Sequence, residues 1–232
     1  MTKPSTICVL ASASPARATT LRNAGIEPLI RVSAADEAAV LAAFDDRDGL
    51  QTQGKVHALA RVKAEAVIPT LTVAELEDFA GQHGFDSAKA AIVVACDSML
   101  EVNGELVGKP HSPARARERI RALSGQTVTL HTGHAVSLVR VKGETVSVEA
   151  TRVKAVATDV HFTELTNAEI DAYIDTGEPL EVAGAFTIDG LGGPFIAGVT
   201  GDPHSVVGIS LPLVRSIATE LGVFWPSLWN RL

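Results

Sequence analysis

TICVLASASPARATTLRNAG, residues 6–25, holds a strand, a loop and a helix in quick succession. The run from Ile7 to Leu10 is apolar and largely β-branched, which suits a strand buried on both faces. Ala11, Ser12 and Ala13 are small enough for a tight exit. Ser14 then offers an oxygen to the free N–H groups of a first helical turn, and Pro15 lacks an N–H and already has a helical φ. Gly25 ends the helix. A buried strand that feeds a helix through a short loop is the repeating unit of α/β proteins. The helix N-terminus can also attract an anion, and Arg17 adds a guanidinium fork suited to phosphate, although such turns are equally common without ligands.

The pentapeptide SPARA recurs at Ser112–Ala116, where it starts another helix for the same reasons. There Ala116, Ile120 and Leu123 keep an inward spacing, and the interspersed arginines 115, 117, 119 and 121 read as a solvated face. The two regions diverge beyond the pentapeptide, so no internal repeat is present.

Between the two copies the pattern continues. IEPLIRVSA reads as a strand, followed by a short helix with Ser33 and Asp36 as a capping box. KVHALARVKAEAVI keeps Val56, Leu59, Ala60 and Val67 at helical spacing, with Lys63 on the same stripe. A lysine there must either snorkel to water or meet an anion. TLTVAELEDFAGQHG adds a helix that resembles an insertion. AAIVVACDS is a buried strand with Asp97 at its end, and the following MLEVNGELVGKP holds the hairpin signal Asn103-Gly104. That turn sets Val102 opposite Glu105, Leu100 opposite Val107 and Ser98 opposite Lys109, which places Lys109 beside Asp97 either as a surface ion pair or as part of a site.

The second half contains more strand than helix. VTLHTGHAVSLVRV and GETVSVEATRVKAVATDVHFTEL read as long antiparallel strands. Thr166 and Glu169 form a capping box for a helix that Gly177 and Pro179 stop. A glycine-rich stretch, AGAFTIDGLGGPFIAGVTGD, precedes a last helix in SLPLVRSIATELG and a tail with Trp225 and Trp229.

With 232 residues and 46% hydrophobic content the chain can bury a core as one large α/β domain or as two lobes around a cleft. A net charge of −7 argues against broad attachment to nucleic acid or to a membrane surface. The apolar run after Lys3 is too short for a secretion signal, and no stretch is apolar for long enough to span a bilayer, so a cytoplasmic protein is expected. Cys8 and Cys96 sit inside apolar runs and read as buried reduced thiols.

Several familiar motifs fail. GELVGKP is one residue short of a phosphate-binding P-loop, and Pro110 stands where a magnesium-binding hydroxyl belongs. GLGGP lacks the third glycine and the helix of a dinucleotide fingerprint, and no G-x-S-x-G elbow exists. His131 and His134 are three apart on a strand and point to opposite faces, a poor metal pair.

Four ordered blocks, however, match one family. LASASPAR, VVACDSMLEVNGELVGKP, VAGAFTIDGLGGPFI and VVGISLPL resemble the L-A-S-x-S-P-R-R, A-D-T…G-K-P, K-A-G-x-Y-x-I-Q-G and V-x-G-L-P blocks of the Maf family of nucleotide pyrophosphatases, also described as septum-formation inhibitors. The sequence looks closest to the actinobacterial type. The resemblance covers nearly the whole chain and implies a single domain, residues 1–232. It implies a mixed, partly antiparallel sheet flanked by helices, two lobes around a deep cleft, and often a homodimer. It also implies a metal-dependent hydrolase, acting on acid anhydrides, that splits a nucleoside triphosphate into a monophosphate and pyrophosphate.

The resemblance carries roles to particular residues. Asp97 matches the proton acceptor, and Ser12, Ser14, Arg17, Lys63 and Lys109 match substrate- and phosphate-binding positions. Glu37 and Asp97 are the candidate contacts for Mg²⁺ or Mn²⁺, and Glu37 reads equally as an acid decorating a first helical turn. Ala16, Ser98 and Asp189 replace the arginine, threonine and glutamine that bear on base choice in the family, and Val182 replaces a lysine. These departures imply a broad or different nucleotide preference, with house-cleaning of non-canonical nucleotides in view. The competing expectation is a nucleotide-binding regulator of cell division with no turnover, for which paired carboxylates would serve no purpose.

Overall fold

The structure, a computed structural model, describes residues 6–44, 51–102 and 104–231. Lys3 and Asn103, one half of the expected hairpin turn, lie outside the described residues. Among the described residues, seven strands and eight α-helices form in the order expected of a mixed α/β chain: β1 (Thr6–Leu10), α1 (Pro15–Asn23), β2 (Leu29–Ile30), α2 (Glu37–Ala42), α3 (Gln51–Val67), α4 (Val73–Gln82), β3 (Ala90–Val102), β4 (Glu105–Val107), α5 (Pro113–Leu123), β5 (Thr127–Lys142), β6 (Thr145–Phe162), α6 (Asn167–Asp175), β7 (Ile196–Thr200), α7 (Pro203–Val207) and α8 (Leu211–Glu220). The strands hydrogen-bond in the order β2-β1-β3-β5-β6-β7, with β4 paired to β3. β1 runs parallel to β2 and β3, whereas β3–β4 and β6–β7 are antiparallel.

The chain divides into two compact units, residues 1–97, 133–155 and 211–232, and residues 98–132 and 156–210. In the first, Ile7, Val9 and Ala91 of the parallel strands pack with Ala60, Ala64 and Val67 of α3. The stripe of apolar residues read along α3 is therefore the buried one. α3 approaches the sheet at Gly133, where an added Cβ would collide with the carbonyl of Val56. Only glycine permits that approach. The tail closes on the same unit: Asn230 Oδ1 accepts from Glu27 N at 2.7 Å, Arg231 pairs with Glu27 at 2.8 Å, and the Trp229 ring lies over Gly25.

In the second unit, Leu100, Leu130, Val160 and Phe162 form one cluster, and Ala116, Ile120, Ile170 and Tyr173 join α5 to α6 in another. Thr166 and Glu169 make the expected capping box. Ser33 does not cap α2. Its hydroxyl accepts from Ala35 N, while Asp36 accepts from Ala39 N and is the cap, because a side chain directly before the helix reaches the free N–H groups without distorting the entry. The segment read as a strand at residues 26–34 pairs only at Leu29 and Ile30.

Candidate active site

Strand β1 delivers the chain to a loop whose groups bind one another. Ser14 Oγ accepts from Arg17 N at 3.4 Å and caps α1, as its position before Pro15 requires. Ser12, only 9% exposed, accepts from Ser14 N at 3.2 Å and from Arg17 Nη1 at 3.1 Å. The same Nη1 donates to the Cys96 carbonyl at 2.8 Å. One guanidinium thus joins the loop, the first turn of α1 and the middle of β3, one residue before Asp97; the strand read as ending at Asp97 runs on to Val102, and Asp97 ends only its fully buried part. Ala16 is half-buried in that turn, and its carbonyl accepts from Thr20.

Helix α3 supplies the complementary charge. Lys63 Nζ stands 2.6 Å from Asp97 Oδ1 and 3.1 Å from Glu37 Oε1, with its side chain 12% exposed. The sequence left open whether Lys63 snorkels or meets an anion; it meets two. Glu37 is the acid of the first turn of α2, as one of its two readings has it, and is also a partner of this lysine.

Burial pushes the Asp97 carboxyl above the usual carboxylate range, against the opposing pull of Lys63 and Arg17, and Glu37 adds to the rise. Burial likewise pushes the thiol of Cys96 up to about 11 and that of Cys8 up to about 12. Both cysteines are unpaired and buried, as their apolar surroundings in the sequence suggest.

The other expected residues belong to the second unit. The β3–β4 ladder has the register read from the sequence, Leu100 opposite Val107 and Val102 opposite Glu105, and Gly104 has the positive φ of a tight turn. The expected Ser98–Lys109 pair does not form. The ladder ends at Val107, Pro110 has no N–H to extend it, and His111 turns with φ of 55° to donate to Leu180 O. Lys109 Nζ instead lies 3.9 Å from Glu181 Oε2. Ser98 Oγ is 3.0 Å from Thr132 Oγ1, which donates to the Ser205 carbonyl at 2.9 Å. Asp189 is exposed on the glycine-rich segment.

Some neighbours were not visible in the sequence. The face of α5 read as solvated is engaged: Arg119 donates to the Gly108 carbonyl beside Lys109, Arg117 pairs with Asp171, and Arg121 donates to Asn167. Alternating arginines carry no mark of which one will find a carbonyl eleven residues back.

Glu37 and Asp97 already share one cation, the Lys63 ammonium, and both present hard oxygen donors of the kind Mg²⁺ and Mn²⁺ take. Among the described residues no three His, Cys, Asp or Glu side chains cluster, so a divalent ion held here would draw its remaining ligands from water and substrate oxygens. The donor set fits such an ion. A buried carboxylate flanked by an ammonium and a guanidinium, next to a helix N-terminus, can receive a polyanion and move a proton beside it.

Comparison with known proteins gives a consistent family. The model of the family described as Maf-like protein matches residues 8–221. A Saccharopolyspora erythraea protein named nucleoside triphosphate pyrophosphatase is 52% identical over 96% of this chain and 96% of its own length. Proteins of the same name from Nocardia farcinica and Cutibacterium acnes are 48% and 47% identical, over 96% and 97% of this chain and 96% and 95% of their own lengths.

Proposed function

Because the chain belongs to the Maf family, we propose that it hydrolyses nucleoside triphosphates between the α and β phosphates, releasing a nucleoside monophosphate and pyrophosphate. The observation that carries this reading is Asp97, a buried carboxylate shared by Lys63 and, through it, by Glu37. Polyanion binding alone would be served by the cations and opposed by the acids.

In the proposed mechanism the triphosphate competes with the two carboxylates for the Lys63 ammonium. As Lys63 turns toward phosphate oxygens, Asp97 loses its hydrogen-bonded partner and becomes a stronger base. It accepts the proton of the attacking water while the bond to the pyrophosphate leaving group breaks. A divalent ion held by Glu37 and Asp97 would neutralise phosphate charge and favour deprotonation of water. Arg17 is proposed as a phosphate ligand on the strength of its match to the family's S-P-R-R block, and the first turn of α1 offers its N–H groups. Ser14 holds that turn in place.

Lys109 is proposed as a phosphate ligand on the strength of its G-K-P match, and Ala16, Ser98 and Asp189 as the positions where base preference departs from the family pattern. A broad or altered nucleotide preference follows from those departures; a homodimer is proposed from the family resemblance, and a cytoplasmic location from the short apolar run after Lys3.

The test is an assay of a nucleotide panel with and without Mg²⁺ or Mn²⁺, separating pyrophosphate from orthophosphate. Pyrophosphate from the wild type and its loss in Asp97→Asn is the expected result. Nucleotide binding without either product would favour the regulator, and orthophosphate alone would reassign the chain to a different phosphohydrolase class.

A further inference from the structure

Helix α1 is nine residues long and buries only Ala18, Thr20 and Leu21, too short a helix and too small an apolar face to fix its place by packing alone. Contacts at its two ends hold it. At the N-terminal end Arg17 reaches Ser12 and the Cys96 carbonyl, one residue before Asp97. At the other end the last residues of the chain take hold. The Gly25 carbonyl accepts from Asn230 N and from Arg231 N, both at 3.1 Å. The Asn230 side chain grips the Glu27 backbone twice, accepting from its N at 2.7 Å and donating to its carbonyl at 3.2 Å.

The Glu27 carboxylate then joins tail to helix. Its Oε1 accepts from Arg22 Nε, in the last turn of α1, at 2.8 Å, and its Oε2 accepts from Arg231 Nη1 at 2.8 Å. Arg22 foremost, with Arg231, holds the carboxyl below the usual carboxylate range against the opposing effect of burial, so it accepts as an anion. The tail has its own anchor, because the turn at Trp225–Leu228 packs on β1, the strand that leads into the Ser12 loop, and Leu228 is buried. Arg17 and Arg22 stand five residues apart, about 7.5 Å along the helix axis. A helix stiff over that length carries a shift at one end to the other, and a misplacement of about 1 Å near reacting atoms can lower a rate about a hundredfold. We propose that Asn230 and Glu27 are positioning residues: the C-terminal tail sets the place of α1, and through it the place of the Arg17 fork beside Asp97. This proposal rests on the nucleotide pyrophosphatase reading.

The test measures kcat and KM for pyrophosphate release in the wild type, Asn230→Ala, Glu27→Gln and Arg231→Lys, alone and combined with Arg17→Lys, well below their melting temperatures. Thr166→Ala, which removes a helix cap in the second unit, controls for lost stability. Asn230→Ala and Glu27→Gln each raise KM about tenfold with kcat within about threefold, whereas Arg231→Lys keeps the ion pair and stays within about twofold of the wild type. In the Arg17→Lys background the first two substitutions change KM by no more than about twofold, because the fork they position is already gone. Amide exchange across residues 15–23 quickens in both variants. Should one of the two fail to fold, the other decides the matter. An unchanged KM, a full tenfold rise repeated in the Arg17→Lys background, an equal rise in Thr166→Ala, or unaltered exchange across α1 would overturn the proposal alone. A wild type that releases pyrophosphate from no nucleotide would overturn the pyrophosphatase reading beneath it, and the proposal with it.

Discussion

Lys63 Nζ lies 2.6 Å from Asp97 Oδ1, and a residue on the apolar stripe of one helix thereby neutralises a carboxylate midway along β3, at the last of its continuously buried residues. The pair is neither a surface bridge, since both side chains are nearly enclosed, nor a closed one, since Glu37 at its margin remains half-exposed. Such an arrangement holds a charge ready at a cost to the resting fold.

Asp97→Asn separates that cost from its use. Pyrophosphate release falls by about a thousandfold, whereas the melting temperature at neutral pH stays the same or rises. The sign follows from linkage. The folded Asp97 pKa lies above its unfolded value, so the folded chain holds the proton more tightly. Stability then declines as pH climbs from the ordinary carboxylate range through the raised value, and is flat above it. Denaturant melts across that window show the slope in the wild type and a smaller one in the variant. A variant that keeps its turnover would remove Asp97 from the mechanism.

Lys63→Met leaves the Asp97 carboxylate buried without its closest cation. Its pKa climbs further, so the acidic limb of the kcat/KM profile moves to higher pH while activity drops by about a hundredfold or more. A pH–rate profile of the two proteins measures the displacement.

Arg17→Lys tests the fork. A lysine has three donors on one compact nitrogen but not the planar fork that holds the Cys96 carbonyl and Ser12 at a fixed angle, so kcat/KM falls by about tenfold to a hundredfold. Recovery of full activity in the lysine variant would show that charge alone matters at this position.

Gly133→Ala drives a methyl group into the Val56 carbonyl. The fold loses about 3 kcal/mol, and the residual protein shows lower activity because the displaced helix carries Lys63. Urea unfolding gives the first quantity.

Both thiols are held protonated by burial, Cys96 up to about 11 and Cys8 up to about 12. Iodoacetamide at pH 8 accordingly leaves the native protein unmodified and labels two cysteines after unfolding. Fast labelling of either in the native state would contradict their placement.

What the sequence disclosed is local. The strand–loop–helix at Thr6–Gly25, the box at Thr166 and Glu169 and the hairpin register around Gly104 each depend on residues a few positions apart, and each forms. Even locally, the box read at Ser33 and Asp36 does not form, because Asp36 itself stands at the cap position and Ser33 turns to Ala35 N. The register failed where it was extended by simple counting to Lys109, because Pro110 and the positive φ of His111 end the ladder early. The partners of Lys63 come from 26 residues before it and 34 after, distances at which periodicity is silent. The site residues themselves were found through motif resemblance, and their mutual contacts were not.

The clasp between the tail and the first unit gives the molecule a built-in optical gauge. Trp229 is one of only two tryptophans, and its indole rests on Gly25 in the turn that ends the helix bearing Arg17. Release of the last residues would move that indole into water and redden its fluorescence. The integrity of the helix can thus be followed in real time, without label or substrate, from the colour of light emitted at the opposite end of the chain.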